Sequence, residues 1–181
     1  DGAGNGSKRI FNSIDKKKFN LRFIVFDKHQ KDNFVEKFHK NLFSILIHKI
    51  KKYISIQIKK LVGTNNPYKD SIALFNSGLA DYINDSSADL VNLHWISNEM
   101  ISIEEIGRIK KPIVWTFYDM WPFLGSQHYQ YLNKRKSRID DWMIERKKKN
   151  FSKDINIVSI SKWLNNEIKK SDIFKENKII N

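Results

Sequence analysis

The sequence predicts an α/β fold, a Rossmann-like parallel sheet with helices on both faces. Four short segments are continuously apolar and rich in β-branched or aromatic residues, which is typical of strands buried on both faces. The segments between them have the spacing of apolar residues that predicts helices. Strands that alternate with helices along a chain indicate a parallel sheet.

Each predicted element follows from its local pattern. The predicted strands cover residues 21–26, 89–94, 112–117 and 155–160. The predicted helices cover about residues 5–15, 34–61, 71–84, 102–109, 137–149 and 161–170. Ser102 followed by Glu105 is a capping-box pattern at a helix start, Pro112 opens a strand, and residues 63–67 read as a loop. We expect 89–94 and 112–117 to be neighbours in the sheet.

Length and composition bound the class of protein. A chain of 181 residues with 40% hydrophobic and 29% charged residues predicts a single globular domain. The absence of cysteine excludes disulfides, thiolate metal sites and a cysteine nucleophile. The sequence shows neither an apolar run of about 20 residues nor the apolar stretch of a signal peptide, so we expect a cytoplasmic location.

The basic charge suggests an anionic partner. A net charge of +13 fits nucleic acid, an anionic membrane or a phosphorylated ligand, although an A/T-rich genome also raises the lysine content. Residues 28–60 hold nine lysines against two acidic residues, which gives +7 of the +13.

The helical run from Phe34 is amphipathic. Its apolar residues are Phe34, Phe38, Leu42, Leu46, Ile50, Ile54, Ile58 and Leu61. This stripe either packs on the sheet as core or lies on an anionic membrane. The helix can also do both, if its apolar stripe packs on the sheet while its lysines contact lipid headgroups. The predicted membrane-facing residues are Lys51, Lys52, Lys59 and Lys60.

Polar and aromatic residues follow the predicted strands, where parallel sheets bind their ligands. His94 and Trp95 follow one strand, and Tyr118 and Asp119 follow the next. His94 is either a hydrogen-bonded boundary residue or a ligand contact, and Asp119 either caps the next turn or contacts substrate.

Three further interpretations concern single residues. Trp115 lies within its strand and is expected to be core, whereas Trp121 either shapes the loop or stacks on a sugar. His29, His39 and His48 lack carboxylate partners at ligand spacing, so we expect no metal site.

The opening "DGAGNG" reads as a flexible turn that feeds a helix. Such a turn can cradle phosphate with backbone N–H groups. It does not match G-x-G-x-x-G, and no strand precedes it in the chain.

Residues 88–129, "ADLVNLHWISNEMISIEEIGRIKKPIVWTFYDMWPFLGSQHY", resemble the signature region of bacterial family-four glycosyltransferases of the colanic-acid and capsule type. In that family a strand ends in L-H-W-I, and a later segment reads K-P-[IV]-V-W-T-[LF]-H-D-M-W-P-F-T-G-G-C-H-Y. The opening "DGAGNGSKRIFNSI" is similar to the family's Gly-rich first loop and helix, and "IVSISKWLNNEIKKSDIFKENKIIN" to its later strand and helix.

The resemblance implies one half of a GT-B fold, in which two Rossmann-like domains face each other across a cleft. The N-terminal domain mainly holds the acceptor, and the C-terminal domain holds the nucleotide-sugar donor. By this comparison the chain is a fragment without the first strand and the donor domain, and we expect it to be inactive alone. The implied partners are a nucleotide sugar, a glycan or lipid-linked acceptor, the donor domain and an anionic membrane surface. Nucleic acid, a metal and a cofactor are not expected.

The resemblance also assigns roles to residues. Tyr118, Asp119 and His94 correspond to the reaction centre, with Tyr118 in place of the family's histidine. Gly2, Ala3 and Gly4 correspond to the loop near the donor phosphates. The residues implied at the acceptor are Trp95, Trp121, His128 and Tyr129.

The expected function is therefore the acceptor domain of a retaining, metal-independent glycosyltransferase in polysaccharide biosynthesis, peripheral on the inner face of the cell membrane. The alternative is a non-catalytic basic module that binds anionic membrane or nucleic acid. The segments "LHW" (93–95) and "DMWPF" (119–123) at adjacent strand ends favour the enzyme, because a basic binding module does not need them.

Overall fold

A computed structural model describes residues 2–28, 33–38, 41–61, 70–130, 138–151 and 154–181. These residues cluster into two compact units, Asp1–Ile50 and Lys51–Asn181, whose boundary falls inside one long helix. The predicted loop at 63–67 lies outside the described residues, as do His29 and His39.

The first unit contains a small parallel sheet and an aromatic core. Its elements are α1 (Gly2–Ser13), β1 (Phe23–Val25), β2 (Val35–Lys37) and the first part of α2 (Leu42–Leu61). The strands β1 and β2 pair in parallel over three residues. The rings of Phe11, Phe23 and Phe34 pack together, with centroids 5.0–6.3 Å apart.

Two predictions in this unit are wrong. The helix predicted from residue 34 begins at Leu42, and residues 35–37 form β2 instead. Phe34 and Phe38 have the i, i+4 spacing of a helix, but they flank a strand, and each stacks on another phenylalanine at 5.0 Å. The opening glycines are not a turn, because α1 already begins at Gly2.

The second unit contains a four-stranded parallel sheet flanked by helices. Its elements are the rest of α2, α3 (Leu79–Asp85), β3 (Val91–Leu93), α4 (Ile103–Arg108), β4 (Ile113–Phe117), α5 (Arg138–Asn150), β5 (Asn156–Ser159), α6 (Lys162–Lys169) and β6 (Ile179–Ile180). The strand order is β3-β4-β5-β6, and Leu93 pairs with Trp115. The predicted α/β class and the predicted neighbours are therefore confirmed. The short β6 was not predicted.

The core of this unit lies against β4. Trp115 and Phe117 are each 1% exposed and lie on one face of the strand, two residues apart. The ring centroid of Trp115 lies 5.3 Å from that of Phe151, and the centroid of Phe117 lies 5.2 Å from that of Phe174, so Trp115 is core as expected. Burial on both faces, predicted for all four strands, holds for β4 but not for β3, whose Asn92 is exposed at the edge of the described sheet.

The helix predicted for residues 71–84 is present only as α3, from Leu79. The preceding backbone follows another path because a buried carboxylate binds it. Glu99, which is 3% exposed, accepts hydrogen bonds from the backbone N–H groups of Leu74 and Phe75 at 2.8 and 3.0 Å. Ala73 has φ of 49°, which a right-handed helix does not permit.

The start of α3 is held by a carboxylate from α4. The predicted capping box is confirmed, since Glu105 pairs with Ser102 across the first turn of α4. The same Glu105 is fully buried and accepts hydrogen bonds from the N–H groups of Gly78 and Leu79 at 2.8 and 3.1 Å. One carboxylate therefore satisfies the free N–H groups of two helix starts.

Candidate functional site

The predicted polar residues meet at the carboxyl ends of β3 and β4. His94 and Trp95 follow β3 directly, and Tyr118 and Asp119 follow β4 directly. The Nδ1 atom of His94 lies 3.0 Å from the hydroxyl oxygen of Tyr118. The indole N–H of Trp95 donates to Oδ2 of Asp119 at 3.0 Å. The structure thus brings these four residues together, although the two partners of each hydrogen bond lie 24 positions apart in the sequence.

His94 and Tyr118 form an uncharged pair that is partly open to solvent. Burial lowers the pKa of His94 to about 4 and raises the pKa of Tyr118, so both side chains are neutral near pH 7. If the tyrosine donates to Nδ1, the imidazole carries its proton on Nε2 and can donate onward. If Nδ1–H donates instead, the tyrosine hydroxyl remains able to donate. Either tautomer leaves one neutral donor for a ligand.

The carboxylate of Asp119 is buried and accepts several hydrogen bonds. It is 8% exposed, and its Oδ2 also accepts a hydrogen bond from Nδ1 of His128 at 2.6 Å. Its Oδ1 accepts a hydrogen bond from the backbone N–H of Trp121 at 3.0 Å. Asp119 therefore caps the next turn, which is one of the two alternatives that the sequence left open. In this arrangement Asp119 orients Trp95.

A hydrogen-bonded chain continues from Asp119 through His128 to Ser71. Nε2 of His128 lies 2.9 Å from Oγ of Ser71. Serine, histidine and aspartate stand here in the order of a serine-hydrolase triad. Ser71 is 4% exposed and His128 is 3% exposed, so the serine does not present a nucleophile at the surface. The chain instead ties the segment around residue 71 to the loop after β4.

Lys147 fixes the loop after β4 to α5. Its Nζ donates to the carbonyl oxygens of Trp121, Leu124 and Gly125, at 2.7 Å for the last two. The same Nζ lies 4.0 Å from the centre of the Trp121 ring. The indole N–H of Trp121 donates to the carbonyl oxygen of Ser71 at 2.8 Å. The loop after β4 is therefore held by Lys147 and by the backbone of Ser71.

The charge state of Lys147 reflects opposing effects. Complete burial, together with the nearby Arg146 cation, lowers its pKa well below the usual value, and Asp119 and Asp140 only partly offset this. Three carbonyl acceptors match the three hydrogens of an ammonium group.

Asp140 accepts hydrogen bonds from the backbone N–H and the hydroxyl of Ser126, both at 2.9 Å, and these bonds anchor the far end of the loop after β4.

The predicted acceptor residues differ in exposure. Tyr129 is 42% exposed and Trp95 is partly exposed, so both present surface to a ligand. Trp121 is 2% exposed, and His128 is equally enclosed. Their positions favour the loop-shaping alternative for Trp121, and they place His128 behind Trp95, with ring centroids 5.8 Å apart.

The other predicted residues belong to α1 and α2. Gly2, Ala3 and Gly4 form the first turn of α1 in the first unit. Lys51 donates to the carbonyl oxygen of Asn76 at 2.5 Å and Lys59 to that of Asp70 at 2.8 Å. Lys60 is exposed and Lys52 is partly exposed.

A small pocket opens beside the cluster. Its lining includes Trp95, Tyr118 and Asp119, and it offers about 10 Å³ of space. That volume suits about one water molecule. A ligand larger than water does not fit inside this pocket.

Sequence reasoning missed Ser71, Glu99 and Lys147. Ser71 and Glu99 carry no local signal, because their partners lie 57 and 25 residues away in the sequence. Lys147 does carry one, since it continues the stripe of Ile139 and Met143 at four-residue spacing on the buried side of α5. A lysine at such a position predicts a buried amine with acceptors.

Three further findings concern ligands and relatives. Within the described residues, no group of three or more His, Cys, Asp or Glu side chains is arranged to hold a metal ion. None of the described helices has the length and apolarity needed to cross a membrane. Comparisons with family models, curated proteins and solved structures gave no match to this chain.

Proposed function

We propose that this chain is the acceptor-side domain of a retaining, metal-independent glycosyltransferase. It would serve transfer of a sugar from a nucleotide-sugar donor to a glycan or lipid-linked acceptor. The observation that carries the proposal is the neutral His94–Tyr118 pair at the ends of adjacent parallel strands, beside the partly exposed Trp95. Ligands of parallel sheets bind at this edge.

The chemistry of the pair suits a carbohydrate. A sugar hydroxyl both donates and accepts hydrogen bonds, and the pair offers a donor in either tautomer without a charge that would need a counterion. An indole ring beside it supplies an apolar surface with a polar N–H, here held by Asp119. Tyr118 then acts as a neutral positioning group.

The open edge also agrees with a GT-B enzyme. In that fold the cleft forms between two domains, so one domain contributes an open surface rather than an enclosed cavity. The small pocket beside Tyr118 fits this expectation.

The test is sugar binding by the 181-residue chain. Saturation-transfer NMR would use methyl glycosides and polyprenyl-diphosphate-linked sugars as probes. We expect weak binding that Tyr118→Phe and His94→Gln each reduce by about two- to tenfold, the range for one neutral hydrogen bond of about 0.5–1.5 kcal/mol.

Tyr82→Phe is the matched control, because it removes a tyrosine hydroxyl from α3, away from the pocket lining. It should leave binding unchanged. Equal binding by wild type, Tyr118→Phe and His94→Gln would show that the sugar does not bind at His94 and Tyr118. Absence of binding for every probe would favour the non-catalytic alternative.

A further inference from the structure

The long helix α2 presents its apolar side to solvent. Half of the large hydrophobic side chains that are exposed in the described residues lie on this one helix. They are Leu42, Phe43, Leu46, Ile50, Tyr53, Ile54, Ile56 and Leu61. The sequence left open whether this stripe is core, and the structure shows that most of it is not.

The opposite side of α2 is polar and faces the protein. In the first unit, His48 is 7% exposed and its ring lies 4.9 Å from that of Phe26. In the second unit, Ser55 is 4% exposed and its hydroxyl donates to Glu99 at 2.8 Å. The usual arrangement of a surface helix, with its apolar stripe inward, is therefore inverted.

Exposed apolar side chains occur along the whole helix, and their exposure is highest at its two ends. Leu42 is 86% exposed and Phe43 is 73% exposed near its start, and Leu61 is 87% exposed at its end. An apolar row of this length is costly in water and marks an interaction surface.

The charge of α2 indicates which partner this surface fits. The helix holds five lysines and no acidic residue. Lys49 and Lys60 are both exposed and lie 11 residues apart, about three helical turns, so they lie on the same side as Leu46 and Tyr53. Lysine stems can lie along lipid while their ammonium groups reach the headgroups.

We infer that the exposed face of α2 docks in the plane of an anionic lipid surface. The apolar side chains enter the boundary between headgroups and acyl chains, and Lys49 and Lys60 pair with lipid phosphates. Twenty residues give a contact about 30 Å long. This inference does not depend on the proposed transferase activity.

Two other partners fit less well. Nucleic acid is bound mainly through its phosphates by lysine and arginine, and a row of aliphatic side chains has no partner there. A second copy of the chain would place two helices that carry only positive charges side by side, and like charges repel.

The experiment is sedimentation of the full chain with vesicles of pure phosphatidylcholine and of equal parts phosphatidylcholine and phosphatidylglycerol. We expect binding to the anionic vesicles that weakens as sodium chloride rises from 20 to 500 mM, because salt screens the lysines. Leu46→Ser should lower the partition coefficient by about tenfold, since a leucine no longer enters the lipid.

Leu90→Ser is the matched control, because Leu90 is 52% exposed and Leu46 is 55% exposed. The control should bind as wild type. Joint substitution of Lys49 and Lys60 by Gln should lower binding by about thirtyfold at low salt, at about 1 kcal/mol for each lysine. Lys169→Gln with Lys178→Gln is the control at two other exposed lysines.

Several results would overturn the inference. They are equal binding to both vesicle types, absence of binding, and equal effects of Leu46→Ser and Leu90→Ser. A chain that is dimeric in analytical ultracentrifugation, becomes monomeric with Leu46→Ser and ignores vesicles would identify a second copy as the partner. Binding to single-stranded DNA that needs Lys49 and Lys60 but not Leu46, without vesicle binding, would identify nucleic acid.

Discussion

His94 links the stability of the folded chain to pH. Burial lowers its pKa from 6.5 to about 4, so at pH values between these the unfolded chain binds a proton that the folded chain excludes. Above pH 6.5 the imidazole is neutral in both the folded and the unfolded chain, so burying it carries no penalty for losing a proton. The free energy of unfolding therefore falls as pH decreases from 6.5 towards 4.

We predict that His94→Gln makes this pH dependence shallower. Urea denaturation at several pH values between 4 and 7 measures it, with wild type and variant compared because carboxylates also titrate in this range. Tyr118→Phe should keep the wild-type slope, since burial rather than the tyrosine causes the shift. Parallel profiles for wild type and His94→Gln would show that His94 is not buried as described.

His94 and Tyr118 could be predicted as neighbours because each follows an apolar run directly, and the order of parallel strands then joins them. Ser71 could not be predicted, because its partner His128 follows no strand and is placed by the loop after β4. The inward position of Asp119 was also beyond sequence reasoning, since its Oδ2 is bound by Trp95 and His128, which come from two different loops.

At the scale of elements, α5 and the loop after β4 depend on Lys147. We predict that Lys147→Met lowers the free energy of unfolding by about 3 kcal/mol or more. The methionine keeps the volume but leaves three carbonyl oxygens, those of Trp121 and Gly125 buried and that of Leu124 partly buried, without their donor. Thermal and urea denaturation, followed by tryptophan fluorescence, would measure the loss.

The adjacent residue gives the matched control. Lys148 is exposed and pairs with Glu145 at 3.1 Å across one turn, so Lys148→Met should cost less than about 1 kcal/mol. Equal stability of the two methionine variants would mean that Lys147 does not hold the loop.

Periodicity predicted the buried strands of the larger sheet and the helix start with its own cap, and it failed where a partner distant in the sequence binds the backbone. The strands β3, β4 and β5 and the start of α4 at Ser102 follow their local patterns. Residues 71–78 have apolar spacing suited to a helix, yet Glu99 and Glu105 take up their N–H groups. Likewise, residues 35–37 form a strand because a partner strand 12 residues earlier is available.

At the scale of the whole molecule, the length predicts one domain and the structure shows two compact units. Each unit has its own parallel sheet and its own aromatic core. The sheet of the first unit has two strands of three residues, which are largely half-buried. In the second unit, β4 lies between β3 and β5 and is almost fully buried.

We predict that the two sheets open separately in native-state hydrogen exchange. An isolated pair of short strands is marginal in water, whereas a central buried strand exchanges only by global opening of its unit. The backbone amides of Phe23–Val25 should therefore exchange at least about tenfold faster than those of Ile113–Phe117, a difference of about 1.4 kcal/mol. Exchange measured in rising denaturant below the unfolding midpoint separates the two openings. Equal free energies with equal denaturant dependence would instead mean that both sheets unfold as one cooperative domain, as the length of the chain predicts.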